Sequence, residues 1–278
     1  MFERLLRIEH LARWFCGWAR IEPKVGGTFR FGGETCVFLP EGRGWETTIE
    51  EGETLRRFAF RWPVQGRATT VAFELEDGSD GGTLLRATHT GVPVSETTCG
   101  RVQDAWRACL GNLKSIAEER GESNRPDHTP PAPAEWKLTT LLETAPPRVF
   151  SALLDPTQVG LWTSGGVTGN STQVDPRAGG AYDLGEESPW QIESLEPDRR
   201  LILQHSVPSG DLRLTLELEP KSSGTAIYLG ATGYREPATA SILRDRGRWS
   251  DRFVCLKNLI EGGDAGFANA YADQVRET

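Results

Sequence analysis

A pattern that occurs twice in one chain restricts the fold more than any composition does, because each copy must be a unit that can be built twice. MFERLLRIEHLARWF (1–15) lines up with VFSALLDPTQVGLWT (149–163). At one constant offset Phe2 meets Phe150, Leu5 meets Leu153, Leu6 meets Leu154 and Trp14 meets Trp162. IEPKVGGTF (21–29) then falls on VDPRAGGAY (174–182), and TIEEGETLRRFAF (48–60) on QIESLEPDRRLIL (191–203). FELE (73–76) matches LELE (216–219), Gly82-Thr83 matches Gly224-Thr225, and Thr90-Gly91 matches Thr232-Gly233. Finally Cys109-Leu110 and Leu113 meet Cys255-Leu256 and Leu259. The blocks keep their order and the offset drifts only at turns, which reads as an internal duplication.

Between the copies lies a segment with four prolines, 121–134, that is too polar to bury a core and is expected to be a stiff, extended linker. The expected organisation is a first domain over 1–120, the linker over 121–134, a second domain over 135–262 and a loosely held tail over 263–278.

Each copy changes period along its length. Leu5, Ile8, Leu11, Ala12 and Phe15 share one helical face. Phe58, Phe60 and Trp62 then alternate with Arg57, Ala59 and Arg61, and Val71, Phe73 and Leu75 with Ala72, Glu74 and Glu76. Leu212, Leu214, Leu216 and Leu218 do the same in the second copy, as expected of antiparallel strands with one buried face. Both copies end in an amphipathic helix. Val102, Ala105, Trp106, Cys109, Leu110, Leu113 and Ile116 line the first, and Trp249, Phe253, Leu256 and Ile260 the second. The predicted fold class is α+β, with two tandem curved antiparallel sheets, each wrapped around a long terminal helix. The space between sheet and helix is a natural ligand cavity.

These motifs resemble the activator-of-heat-shock-protein-90-ATPase-like family of the START-like, or SRPBCC, superfamily, whose domain is the helix-grip fold. The residues that carry the resemblance are Leu153-Leu154-Asp155-Pro156 to Trp162, Pro176 to Tyr182, Glu196 to Leu201 and Trp249. In the first copy they are Leu5 to Trp14, Pro23 to Phe29, Glu53 to Phe58 and Trp106. The resemblance covers nearly everything outside linker and tail, and it makes WKLTTLLE (136–143) the first strand of the second domain. No such strand precedes the first copy in this sequence: either translation begins upstream or the first domain lacks that strand, and a truncated or degenerate first domain is the expectation. Its open edge would invite pairing with another chain, a homodimer included. The fold hosts many functions and does not choose among them.

Composition removes some classes. A formal net charge of -8 repels phosphate backbones and anionic lipid surfaces, which argues against nucleic acid and membrane partners. No apolar run is long enough to span a membrane, and the charged N-terminal segment is no signal peptide. Five cysteines without a C-x-x-C pair suggest reduced thiols in the cytoplasm. Four scattered histidines suggest no metal site, and no cofactor motif is present. The Gly-Gly pairs lack the context of a phosphate loop and read as tight strand entries.

Candidate ligand-binding residues are Trp14, Phe58, Phe60, Trp62, His89, Trp106, Trp162, His205 and Trp249. The two early tryptophans could shape a pocket mouth or simply anchor the core. The aromatic row Phe58, Phe60 and Trp62 could line a cavity or fill it. His205 stands where the first copy has Trp62 and could orient a ligand or act as a base; a satisfied histidine near a strand end is the plainer reading, and it applies to His89 too. Arg57 and Arg200 read as cross-strand charges on the wet face. No nucleophile–base arrangement supports a catalytic assignment. The leading expectation is a protein that binds a small apolar molecule or a protein partner. The alternatives are a chaperone ATPase co-regulator, which the resemblance suggests, and a START-like aromatase/cyclase-type enzyme.

Overall fold

The computed structural model describes residues 1–40, 42–53, 56–78, 81–92, 96–131, 134–164, 172–186 and 188–265, the side chains of 53, 96–101 and 164 aside. The chain forms two compact units, Met1–Leu113 with Arg125–His128, and Lys114–Asn124 with Thr129–Thr278. The first runs α1 (Phe2–Leu6), α2 (Ile8–Trp14), β1 (Trp18–Ile21), β2 (Thr28–Gly32), β3 (Trp45–Glu53), β4 (Arg57–Val64), β5 (Arg67–Asp77), β6 (Thr83–Thr90) and α3 (Glu96–Ala117). The second runs β7 (Trp136–Leu142), α4 (Pro146–Leu154), α5 (Pro156–Ser164), β8 (Ala181–Tyr182), β9 (Trp190–Glu196), β10 (Arg200–Val207), β11 (Gly210–Lys221), β12 (Gly224–Tyr234) and α6 (Thr239–Gly262). Each unit has a six-stranded antiparallel sheet, ordered β1-β2-β3-β4-β5-β6 in one and β7-β12-β11-β10-β9-β8 in the other. The molecule is thus two tandem α+β domains, each an antiparallel sheet with a long terminal helix.

The duplication is reproduced bond by bond. Trp14 Nε1 donates to the Arg4 carbonyl at 3.0 Å, and Trp162 Nε1 donates to the Ala152 carbonyl at 3.0 Å. Before strand β2, Glu22 N bonds Thr28 O, Lys24 N bonds Glu22 O and Gly26 N bonds Ile49 O; Asp175, Arg177 and Gly179 bond Ala181, Asp175 and Ile192 in the same way. Gly26 (φ 76°) and Gly179 (φ 80°) take the left-handed conformation that favours glycine. A Cβ at Gly27 or Gly180 would collide with the carbonyl of Glu22 or Asp175. The Gly-Gly pairs therefore make tight strand entries.

The early helical segment departs from the expected single face. Arg7 is extended (φ −83°, ψ 132°), so the helix stops and restarts. The restart turns Ile8 outward, where it is 45% exposed, while Leu5, Leu11 and Phe15 stay buried. The second unit breaks at the matching place with better chemistry. Asp155 accepts from Gln158 N at 2.9 Å and Pro156 opens the next helix, the residue types that cap and start helices.

Alternation along β4, β5, β10 and β11 puts Phe58, Phe60, Trp62, Val71 and Phe73, and Leu201, Leu203, Leu214 and Leu216, on the inner faces, all at most 2% exposed. Fully burying one such side chain contributes about 1.5–3 kcal/mol. The outer faces carry ion pairs: Arg57 with Glu51 and Glu74, Arg61 with Glu50, Arg200 with Glu196, and Arg213 with Glu193. The terminal helices lie on the inner faces, with Trp106, Ala108 and Cys109 of α3 and Trp249, Phe253 and Leu256 of α6 buried.

The sheets differ at both edges. Beyond β2 the first has β1, where the second has only the bridge between Val174 and Tyr182 beyond β8. β12 pairs with β11 on one side and with β7 on the other. Its counterpart β6 pairs with β5 and ends the first sheet. Of the linker, Arg125 Nη1 donates to the Ala12 and Cys16 carbonyls (2.6 and 3.3 Å), and His128 N to Glu34 O at 2.9 Å. Residues 132 and 133 of the expected linker and 266–278 of the expected tail lie outside the described residues. No helix among the described residues is long and apolar enough to cross a membrane.

Candidate functional site

In the first unit Trp14, Phe58, Phe60, Trp62, His89 and Trp106 form one continuous cluster. Phe60 and Trp62 lie 6.2 Å apart between ring centroids, Phe58 and Phe60 5.5 Å, and Trp14 reaches Phe73 at 5.9 Å. Phe73 in turn stacks on Phe58 and meets Trp106 edge-on. The long connection between β2 and β3 adds Phe38, 5.3 Å from Trp62, and β3 adds Trp45 at 5.1 Å. Such offset and edge-on ring pairs pack stably and fill space.

His89 is pinned within this cluster. Its ring stacks on Trp62 at 5.4 Å with 9° between planes. Trp106 Nε1 donates to His89 Nδ1 at 3.2 Å, so that nitrogen must be the acceptor. The proton then sits on Nε2, which faces Thr69 Oγ1 at 2.7 Å, and the Thr69 hydroxyl donates to the Trp62 carbonyl. Burial holds the His89 pKa down at about 4, so the ring is neutral at pH 7. Trp62 Nε1 itself has no acceptor among the described residues.

The second unit gathers Trp162, Trp249 and His205 around a different centre. Trp162 and Trp249 are 6.2 Å apart, and the guanidinium of Arg252 lies 5.1 Å over the Trp249 ring. Arg252 Nη2 donates to Glu186 Oε1 at 2.9 Å and to the Leu184 carbonyl at 3.4 Å. Arg248 Nη1 reaches the same carboxylate oxygen at 3.2 Å, and Trp190 Nε1 donates to Glu186 Oε2 at 2.9 Å. Burial by itself would raise the Glu186 pKa, but Arg252, the Trp190 N–H and Arg248 outweigh it and hold the carboxyl at about 2. Trp190 lies 4.8 Å from His205, whose Nε2 meets Ser188 Oγ at 2.8 Å. The Tyr182 phenol is fully buried, donates to the Leu153 carbonyl at 2.7 Å, and has its pKa raised by that burial.

Sheet register and the Cys109/Cys255 match assign equivalent positions inside the two units. His89 pairs with Val71, and Ala231 with Leu214, so Ala231 replaces His89. Trp62 pairs with Thr69, and His205 with Leu212, so His205 replaces Trp62. On the terminal helix, three residues before the matched cysteine, Arg252 replaces Trp106. The trio Trp62, His89 and Trp106 has become His205, Ala231 and Arg252.

Sequence reasoning missed Glu186, Trp190, Arg248 and Arg252. Arg252 was visible in principle, because extending the Cys109/Cys255 match by one helical turn sets an arginine against a buried tryptophan. Glu186 and Trp190 carried no signal; they come close to Arg252 only through the sheet. Among the described residues no three His, Cys, Asp or Glu side chains are placed to hold a metal ion.

Several solved structures resemble the chain. Protein MLL2253 from Mesorhizobium loti is 18% identical, with 47% of this chain and 98% of that one covered and a TM-score of 0.41. The Aha1 dimer from Colwellia psychrerythraea is 15% identical, with 46% and 97% covered and a TM-score of 0.41. DynU16, a protein of the dynemicin biosynthetic locus, is 16% identical, covers 93% of both chains and has a TM-score of 0.37. No curated protein matches the sequence. The family model for activator of Hsp90 ATPase homolog 1-like protein matches twice, over residues 1–118 and 143–258, the two halves that repeat each other in sequence and in hydrogen bonding. The chain belongs to the activator of Hsp90 ATPase homolog 1-like family and carries its domain in tandem.

Proposed function

We propose that this is a binding protein whose second unit takes up a small, largely apolar molecule between its sheet and α6. The observation that carries the reading is the exchange of interior side chains within one conserved frame. Where the first unit places an indole and an imidazole, Trp62 and His89, the second places the smaller His205 and Ala231. The surrounding residues are flat and apolar, with Trp190 standing where the first unit has Thr47: Trp162, Trp190 and Trp249 are each at most 5% exposed. Of the residues expected to bind ligand, Trp162, His205 and Trp249 belong to this site. Trp14, Phe58, Phe60, Trp62, His89 and Trp106 act in the first unit as a packed core. The free thiols of Cys16, Cys36, Cys109 and Cys255 support a reducing compartment, the cytoplasm.

Titration with the neutral dye N-phenyl-1-naphthylamine tests this. One saturable site per chain is expected, lost in Ala231→Phe, which refills the space, and kept in Ala87→Phe in the first unit. Absence of saturable binding, or binding indifferent to Ala231→Phe, counts against the reading.

A second role is supported by the edge strand β6. Its equivalent in the second unit is an interior strand, and Leu84 on it is 50% exposed. We propose that two copies of the chain pair through β6. Sedimentation equilibrium should give a dimer that Leu84→Lys with Thr88→Pro reduces to a monomer. A wild-type chain that stays monomeric at high micromolar concentration contradicts the pairing.

A further inference from the structure

We infer that Arg252 is the polar anchor of the ligand site in the second unit, and that the ligand carries an anionic group on its aromatic or polycyclic body. The inference rests on the binding reading above and names the chemical class of the molecule bound.

Arg252 is buried, with only 4% of its side chain exposed. One of its three nitrogens, Nη2, bonds Glu186 and Leu184. The other two, Nε and Nη1, are buried and have no acceptor among the described residues. Native proteins satisfy nearly all buried donors, and an orphaned donor on a charged group is the most costly kind. Trp62 Nε1 in the first unit is also orphaned. That is a single neutral N–H, a far smaller debt than two N–H groups on a guanidinium.

Charge selects the class of acceptor. Arg252 and Arg248 share one carboxylate, Glu186, at 2.9 and 3.2 Å, so the trio holds a net positive charge. Arg248 is 39% exposed, so the buried charge is that of Arg252, which Glu186 neutralises only in part because it is shared; a charge so placed calls for a counter-ion more than for a neutral carbonyl. Other charges on α6 are engaged elsewhere. Lys257 donates to the Leu141 carbonyl and Glu261, Arg246 donates to the Thr129 carbonyl, and Asp251 accepts from the Cys255 thiol. The surroundings select the body of the ligand. Trp249 lies under the guanidinium, with Trp162 beyond it, and Trp190 and His205 lie on the Glu186 side. A flat molecule could stack on these rings while its carboxylate, sulfonate or enolate meets Nε and Nη1. The first unit has no such anchor: Trp106 stands at the equivalent position with its N–H given to His89.

Two dyes with one aromatic body separate the claims. 8-Anilinonaphthalene-1-sulfonate carries an anionic sulfonate that N-phenyl-1-naphthylamine lacks. Glu186→Gln should tighten the sulfonate dye severalfold. Glu186→Gln with Arg252→Met should weaken it at least tenfold and leave the neutral dye within twofold. Because the variants could lose stability, the wild-type chain supplies a second readout: the Arg252 Nε–H resonance in a 15N NMR spectrum should shift as the sulfonate dye saturates. If both dyes bind but respond alike to Arg252→Met, or the resonance stays still, Arg252 is no anchor while the apolar site stands. If neither dye binds, the apolar site and its anchor fall together.

Discussion

The two units share a frame and differ in what fills it. Turn hydrogen bonds, the indole anchor on the early helix pair and the strand register all repeat. The interiors do not. The first is closed by rings that touch one another from Trp14 to Trp62 to Trp106. The second is mostly aliphatic, with Leu201, Leu203, Leu212, Leu214, Leu216 and Leu229 in its core, and holds a charged trio at one end. After a duplication, one copy can be kept for packing while the other explores chemistry that a packed core forbids. The exchange of Trp62, His89 and Trp106 for His205, Ala231 and Arg252 is part of that divergence, beside Phe58, Phe60 and Phe73 giving way to Leu201, Leu203 and Leu216.

Native-state hydrogen exchange, read separately on β4–β5 and β10–β11, can break or sharpen that contrast. The largest effect should come from Trp62→Ala, which removes the centre of the first cluster and should cost about 3–5 kcal/mol in that unit. His205→Ala at the equivalent, partly exposed position should cost less than about 1 kcal/mol. Equal costs would mean the two interiors are packed alike. Next, Glu186→Gln leaves Arg252 and Arg248 without their carboxylate and should destabilise the second unit by about 3 kcal/mol, leaving the first unmoved.

A third test uses pH. The His89 pKa lies below its unfolded value of 6.5, so folding favours the neutral ring. Its contribution is complete above about pH 6.5 and is lost as pH falls toward about 4. Glu186 is depressed from 4.5 to about 2, so its contribution is complete above about pH 4.5 and is lost as pH falls toward 2. The first unit should therefore begin to weaken at a higher pH than the second. A common midpoint would deny the difference. The smallest effect tests what the units share. Trp14→Phe and Trp162→Phe each delete one indole bond to a helix carbonyl and should cost about 1 kcal/mol, equally in both units.

Much of the frame was legible in the sequence because it is local or periodic. The Gly26-Gly27 and Gly179-Gly180 turns, the alternation through Phe58 and Phe60, and the helix stripe through Cys109 each depend on near neighbours. Ile8 escaped because its exposure comes from the break at Arg7, and Arg7 lacks the Asp-Pro signal that announces the same break at Asp155. The site was less legible. His205 was recognisable as an exchange for Trp62, since both sit in aligned strands. The cluster at Arg252 was hidden, because an arginine in an amphipathic helix reads as solvent-facing until the sheet brings Glu186 and Trp190 beneath it. His89 read most plainly as a satisfied histidine near a strand end, and only register across β5 and β6 reveals which partners satisfy it.

Those partners decide what the ring can do. With the indole of Trp106 on one nitrogen and the Thr69 hydroxyl on the other, His89 has no lone pair to lend and no proton it can release without breaking a bond. It serves as a spacer that happens to contain nitrogen. Its 15N chemical shifts should report one fixed tautomer from neutrality down through mild acid, a direct spectroscopic signature of an imidazole retired from acid–base work.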